Sequence, residues 1–167
     1  NMCGINGFNF RDESLAFKMK KFTKSRGPDA DGEYNDESFT ILHDRLSILD
    51  LSSDANQPMI FKDLVISYNG EIYNFRELKN QLINDGYKFK TNCDTEVILY
   101  LFHKYNIDAF KKLSGIFALS IWDKLNKKLY LVRDKVGVKP LFYHFNNNEK
   151  KFFFSSSIKS LLECVNP

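Results

Sequence analysis

The chain has 167 residues, 43% hydrophobic, 27% charged and 15% aromatic, with a net charge of +3. That length fits one domain able to bury roughly two-thirds of its unfolded surface. Its basic residues are scattered among acids, which excludes the basic stripe of a nucleic-acid binder, and its longest apolar run, Ile116 to Trp122, is far shorter than the ~20 residues that span a bilayer. Neither nucleic acid nor membrane is therefore an expected partner. No secretory segment follows the start, so the cytoplasm is the default compartment. Three cysteines without a Cys-x-x-Cys pair and three histidines without ligand spacing suggest neither a disulfide framework nor a metal. The elements are expected in this order. "GINGFNF" (4–10) is of strand length, and "ESLAFKMKKFTK" is compatible with a helix. "SRGPDADG" (25–32) is a dense turn cluster, a β-rich run reaches Leu42, and "SSDANQP" is loop. "DLVISYNG" reads as a strand ending in an Asn-Gly turn. "NFRELKNQLIND" is a helix with Asn74 as N-cap and Gly86 just past its end, and "DTEVILYLFHKYN" is a second with Asp94 as cap. "GIFALSIWD", "KLYLVRD", "LFYHF" and "KFFFSS" read as strands at hairpin-like intervals, before a last helix, "SIKSLLEC". Helices grouped before and after such strands argue for a layered α+β fold rather than a parallel βαβ repeat.

Chemistry could reside at four places. Asn1 ahead of Met2 reads as a tag remnant and Met2 as an unprocessed initiator, which sets residues 1–2 apart from a domain over 3–167. Trimming both would leave Cys3 with a free α-amine. Such an amine titrates near about 7.7–8.0 and can take the thiol proton, making Cys3 a nucleophile that carries its own base. The alternative is a small buried cysteine on a first strand. Asn69 and the Gly70 backbone N–H could aim two donors at one spot, an oxyanion hole, or could form a hairpin turn. Arg45, in an apolar setting, suits a carboxylate bidentately; it could equally pair with Asp44 or Asp50. Asp94, at a helix start, could hold an ammonium or merely cap the helix. Taken together, a nucleophile, an oxyanion hole, a carboxylate clamp and an ammonium anchor fit acyl transfer from a free amino acid whose side chain carries an amide.

The matching segments run from Met2-Cys3-Gly4-Ile5 through "RGPDADG", "HDRLSILD", "QPM", "YNGEIYN", "CDTEVIL" and "GIFALSIWD" to "RDKVGVKPLFY". In this order, over nearly the whole chain, they resemble the N-terminal glutaminase domain of asparagine synthetases, class II glutamine amidotransferases of the N-terminal-nucleophile hydrolase group. The resemblance implies a four-layer α/β/β/α sandwich with two stacked antiparallel sheets. It implies that Cys3 attacks the glutamine side-chain amide to give a γ-glutamyl thioester and ammonia, with Asn69 and Gly70 as the oxyanion hole. Arg45 would hold the α-carboxylate and Asp94 the α-amino group, with Glu71, Leu46, Ile48 and Leu49 completing the glutamine pocket. No cofactor is implied for this domain. ATP and magnesium would serve a C-terminal synthetase domain, the expected partner of this one in a longer protein.

Two departures stand out. Asn1 and Met2 precede Cys3, whose nitrogen is then a non-basic amide, so this form is expected to be inactive. Ser157 also stands where the family often has an acidic residue, which bears on contact with the partner domain. Ammonia could instead be fed to a sugar phosphate or to a polysaccharide carboxylate, and a non-catalytic glutamine-sensing domain would keep the same pocket.

Overall fold

The computed structural model describes residues 2–46 and 52–165, among which the elements run β1 (Gly4–Phe8), α1 (Glu13–Thr23), β2 (Ala30–Asn35), β3 (Thr40–Arg45), β4 (Met59–Phe61) and β5 (Leu64–Ile72). They continue with α2 (Phe75–Asn84), α3 (Asp94–Tyr105), β6 (Gly115–Asp123), β7 (Lys128–Arg133), β8 (Phe142–Asn146), β9 (Lys151–Ser155) and α4 (Ile158–Val165). One antiparallel sheet is ordered β2-β3-β1-β9-β8 and the other β4-β5-β6-β7.

Alternation along the strands sorts side chains into three cores. Phe8, Leu42 and Phe153 turn outward from the first sheet to meet Ala16, Met19 and Leu161 of α1 and α4. Ile66, Tyr68, Phe117 and Leu119 turn outward from the second sheet onto α2 and α3. Between the sheets lie Ile41, Val65, Trp122 and Phe154. The result is the expected four-layer α/β/β/α sandwich. In α1, Asp12 caps the first turn by accepting from the Leu15 N–H at 2.9 Å, and Ala16, Met19 and Thr23 are buried at helical spacing. In α3 every residue from Asp94 to Phe102 is buried, so this helix forms a core layer rather than a surface stripe.

Several expectations are corrected. Asn69-Gly70 is not a turn: β5 runs through it to Ile72, paired with β6 over its whole length. A Cβ on Gly70 would lie 2.3 Å from the Ile116 carbonyl oxygen, so the glycine serves the close approach of two strands. Two short edge strands add to the expected elements: β2 begins inside the stretch expected to be turn (25–32), and β4 follows directly on the expected loop. Asn74 does stand at the start of α2, but its side chain bonds the Lys112 carbonyl and the Ser114 N–H instead of capping. Cys93, not Asp94, takes the N-cap position of α3.

Candidate active site

Cys3 leads into β1, and its thiol lies beside the end of β3: the Leu46 N–H donates to Cys3 Sγ at 3.3 Å. It opens onto a cleft of about 90 Å³ lined by Met2, Arg45, Leu46, Asn69, Gly70 and Asp94, with Gln57, Tyr68, Thr95 and Lys139 also on its wall. Of the residues singled out from sequence, Cys3, Arg45, Leu46, Asn69, Gly70 and Asp94 are thus gathered at one place. Glu71 is exposed and does not line the cleft, while Ile48 and Leu49 fall outside the described residues. A larger groove of about 730 Å³ lies at the far end of the inter-sheet space, walled by Phe39, Trp122, Leu131 and Phe152, and no cysteine, histidine or carboxylate lines it.

Strand parity explains the donors. The N–H of Phe117 donates to Asp134 and its carbonyl accepts from the Asp134 N–H, so its backbone polar groups point away from β5. Its partner Gly70 must then turn its own N–H away from β6. On that same side the Tyr68 N–H meets Gln57 Oε1 at 2.6 Å and the Ile72 N–H meets Asp94 Oδ2 at 3.1 Å. β4 pairs only as far as Ile66, so the Gly70 N–H, between those two, faces the cleft. Asn69, one residue earlier, is buried on the inter-sheet face, and its Nδ2 has no hydrogen-bond partner among the described residues. An orphaned amide donor costs about 1–3 kcal/mol unless something occupies it. Here it lines a cleft beside a thiol.

The charged residues are held firmly. Arg45 Nη1 donates to the Ser52 carbonyl at 2.9 Å and to Asn56 Oδ1 at 2.6 Å, fixing the guanidinium plane. Asp94 Oδ2 also accepts from the Tyr68 hydroxyl at 2.6 Å. Burial pushes the Asp94 carboxyl above the usual carboxylate range, and the Tyr68 hydroxyl and neighbouring backbone N–H groups hold it back. Burial likewise pushes the Cys3 thiol up; the Leu46 N–H, Arg45 and Lys139 oppose this. With an amide at its nitrogen, Cys3 is a protonated thiol at neutral pH.

Arg26, Gln57, Tyr68 and Lys139 lie within the matching segments, but nothing local in the sequence gives them a task. Arg26 Nε donates to the Cys3 carbonyl at 3.4 Å, and its Nη2 lies 3.9 Å from Met2 Sδ. Gln57 joins β5 to α3, taking the Tyr68 N–H and donating to Thr95 Oγ1 at 3.3 Å. Their signal was location within the motifs; the contacts are long-range and invisible in sequence. Among the described residues no three His, Cys, Asp or Glu side chains gather as a metal site, and no helix is long and apolar enough to cross a membrane.

A thiol at the start of a central strand of a two-sheet antiparallel sandwich, across a cleft from Asn69 and Gly70 of the other sheet, fits the N-terminal-nucleophile fold class. The chain belongs to the glutamine amidotransferase domain family, which matches residues 2–166. It is similar to asparagine synthetase [glutamine-hydrolyzing] 1 of Bacillus subtilis, 41% identical over 152 residues, covering 85% of this chain and 24% of that protein. It is also similar to asparagine synthetase B [glutamine-hydrolyzing] of Escherichia coli, 34% identical over 154 residues, covering 87% of this chain and 27% of that protein. The chain therefore spans about a quarter of these relatives. In fold it resembles the B. subtilis glutamine phosphoribosylpyrophosphate amidotransferase, with a TM-score of 0.80 at 18% identity over 95% of this chain and 43% of that one.

Proposed function

We propose that the chain hydrolyses the side-chain amide of glutamine through a Cys3 thioester and supplies the ammonia to an ATP-dependent synthetase domain of the kind its asparagine synthetase relatives are named for. The carrying observation is the single small cleft that unites the thiol with an unpartnered amide donor, an outward-turned Gly70 N–H, a fixed guanidinium and a buried carboxylate. Arg45 takes the substrate α-carboxylate and Asp94 its α-ammonium, which leaves the side-chain amide to reach Cys3. The α-amine of a Cys3 freed of residues 1–2 accepts the thiol proton, and the sulfur adds to the amide carbon. Asn69 Nδ2 and the Gly70 N–H take the oxyanion. On collapse the C–N bond breaks, the α-ammonium returns its proton to the leaving nitrogen, and ammonia departs. Water then cleaves the thioester to glutamate and restores the thiol.

Met2 lines the cleft, so in the form that retains it the side chain crowds the site in addition to removing the base. Glutamate release from a form beginning at Cys3, compared with the form retaining Asn1 and Met2, tests the proposal. The first should turn over glutamine, and the second should be slower by at least ~100-fold, the scale of a lost general base. Equal turnover in the two forms, or none in the first with its fold intact, overturns the mechanism. For the acceptor, sequence similarity favours the asparagine synthetase branch, since the likeness to the glutamine phosphoribosylpyrophosphate amidotransferase is one of fold.

A further inference from the structure

His43 lies in β3, fully buried and facing the space between the sheets, and the mechanism gives it nothing to do. Register fixes its neighbours. It pairs with Ile5, two residues beyond Cys3, and stands two residues before Arg45 on the same strand face. Its Nε2 crosses to the other sheet and lies 3.1 Å from the Tyr68 carbonyl oxygen. A carbonyl only accepts, so Nε2 carries the proton in this contact.

The peptide it reaches is unusual. β4 pairs with β5 only up to Ile66, so the Tyr68 N–H and C=O point past the end of that short strand. Side chains replace the missing strand: Gln57 Oε1 takes the N–H at 2.6 Å, and His43 Nε2 serves the C=O. The peptide plane that begins with the Tyr68 carbonyl ends at the Asn69 nitrogen, so fixing one fixes the other. From there the Asn69 side chain enters the cleft.

The remaining ring nitrogen has its own surroundings. His43 Nδ1 has no partner among the described residues, and the same holds for Ser67 Oγ and Ser120 Oγ, both fully buried. Ser67 and Ser120 face each other across β5 and β6. Ser67 precedes the Tyr68 that His43 contacts and shares the inter-sheet face with Val65 and Asn69. One lone pair and two hydroxyls, each buried and unpaired, match the two to four polar partners that a buried water requires.

We infer that His43 is a positioning residue for the oxyanion hole: its Nε2–H clamps the Tyr68 carbonyl across the sandwich, and a buried water shared with Ser67 and Ser120 donates to Nδ1 and holds the ring in that tautomer. Burial also favours the uncharged ring. The sheet carrying Cys3 and Arg45 is thereby keyed to the strand carrying Asn69 and Gly70. This inference rests on the proposed role of Asn69.

The test uses the form beginning at Cys3, with His43→Leu, His43→Gln and Asn69→Ala. His43→Leu should lower kcat for glutamine at least tenfold with KM changed less than threefold. His43→Gln, whose amide can still donate to the Tyr68 carbonyl, should recover most of that loss. Alkylation of Cys3 by iodoacetamide, which passes through no carbonyl oxyanion, should be unchanged in both. Unaltered kcat in His43→Leu, no rescue by Gln, or a parallel loss of alkylation overturns the inference. Should the Leu variant not fold, the ¹⁵N shifts of the wild-type ring decide: Nε2 protonated and Nδ1 accepting near neutral pH supports it, whereas a cationic or Nδ1-protonated ring overturns it. Asn69→Ala separates the two layers. If Asn69→Ala leaves kcat intact, the oxyanion assignment itself fails; if it abolishes turnover while His43→Leu does not, only the role of His43 fails.

Discussion

Arg45 is tied to the loop that follows β3 and stands on the wall of the cleft. Its planar fork offers five N–H donors, and contacts with the Ser52 carbonyl and Asn56 Oδ1 orient that fork at the cleft wall. A lysine at this position keeps the charge but presents a rotatable point donor, unable to hold loop and carboxylate in one plane. Hydrogen bonds to charged groups contribute about 1.5–3 kcal/mol each. Arg45→Lys is therefore expected to raise the glutamine KM by about 10- to 100-fold, with a smaller fall in kcat, because the α-carboxylate is bound alike in ground and transition states. The variant should also lose its discrimination against a glutamine analogue whose α-carboxylate is amidated. Unchanged KM and unchanged discrimination would remove Arg45 from substrate binding.

Among the elements, α3 places Asp94 on the cleft wall, and Glu96 in its first turn anchors the segment that leads into it. The Glu96 carboxylate accepts from the Lys90 N–H at 3.0 Å, the Thr91 N–H at 2.8 Å, Thr91 Oγ1 at 2.6 Å and the Tyr100 hydroxyl at 2.7 Å. These donors hold it below the usual carboxylate range despite burial. Glu96→Ala strips all four partners at once. The expected result is a loss of about 2–4 kcal/mol of stability and faster amide hydrogen exchange at Lys90 and Thr91 than in the central strands. Uniform exchange changes across the sandwich would argue against this local role. The helices and the long strands were legible in sequence because their apolar periodicity reflects one buried face or two. β4 has three residues and β2, "ADGEYN", has Tyr34 as its one large side chain packed on the core, so neither carries such a signal. The Asn69-Gly70 pair misled for a different reason. Its local preference is a turn, and tertiary packing against Ile116 and Phe117 overrides it. Cys3, Arg45, Asn69 and Asp94 could be read as a set because their chemistry is complementary. Gln57 and His43 could not, since their task is to replace strand partners that end elsewhere in the chain.

At the scale of the whole molecule the cleft is divided between two sheets, and the contact that His43 makes from one sheet to the other should be sensitive to acid. Burial, reinforced by Arg45, lowers the His43 pKa to about 4 from an ordinary value of 6.5, against the pull of the Tyr68 carbonyl. A group whose folded pKa lies below its unfolded value stabilises the fold above the unfolded pKa and loses that contribution as pH falls towards the folded one. For His43 the window runs from about 6.5 to about 4, and the contribution is roughly 3 kcal/mol. Asp44 and Asp94, raised by burial, act in the opposite sense, gaining on protonation, while Asp31, Asp36 and Asp134 lie below their ordinary values and give way only in stronger acid. The acid stability of the wild type alone therefore mixes signs. Subtracting the curve of His43→Gln, which cannot titrate there, isolates the histidine. Chemical denaturation of both proteins between about pH 8 and 4 should give a difference that is flat above about pH 7 and moves steadily against the wild type below it. Parallel curves would mean that the ring protonates without cost, and hence that it is not sealed between the sheets as an uncharged strut.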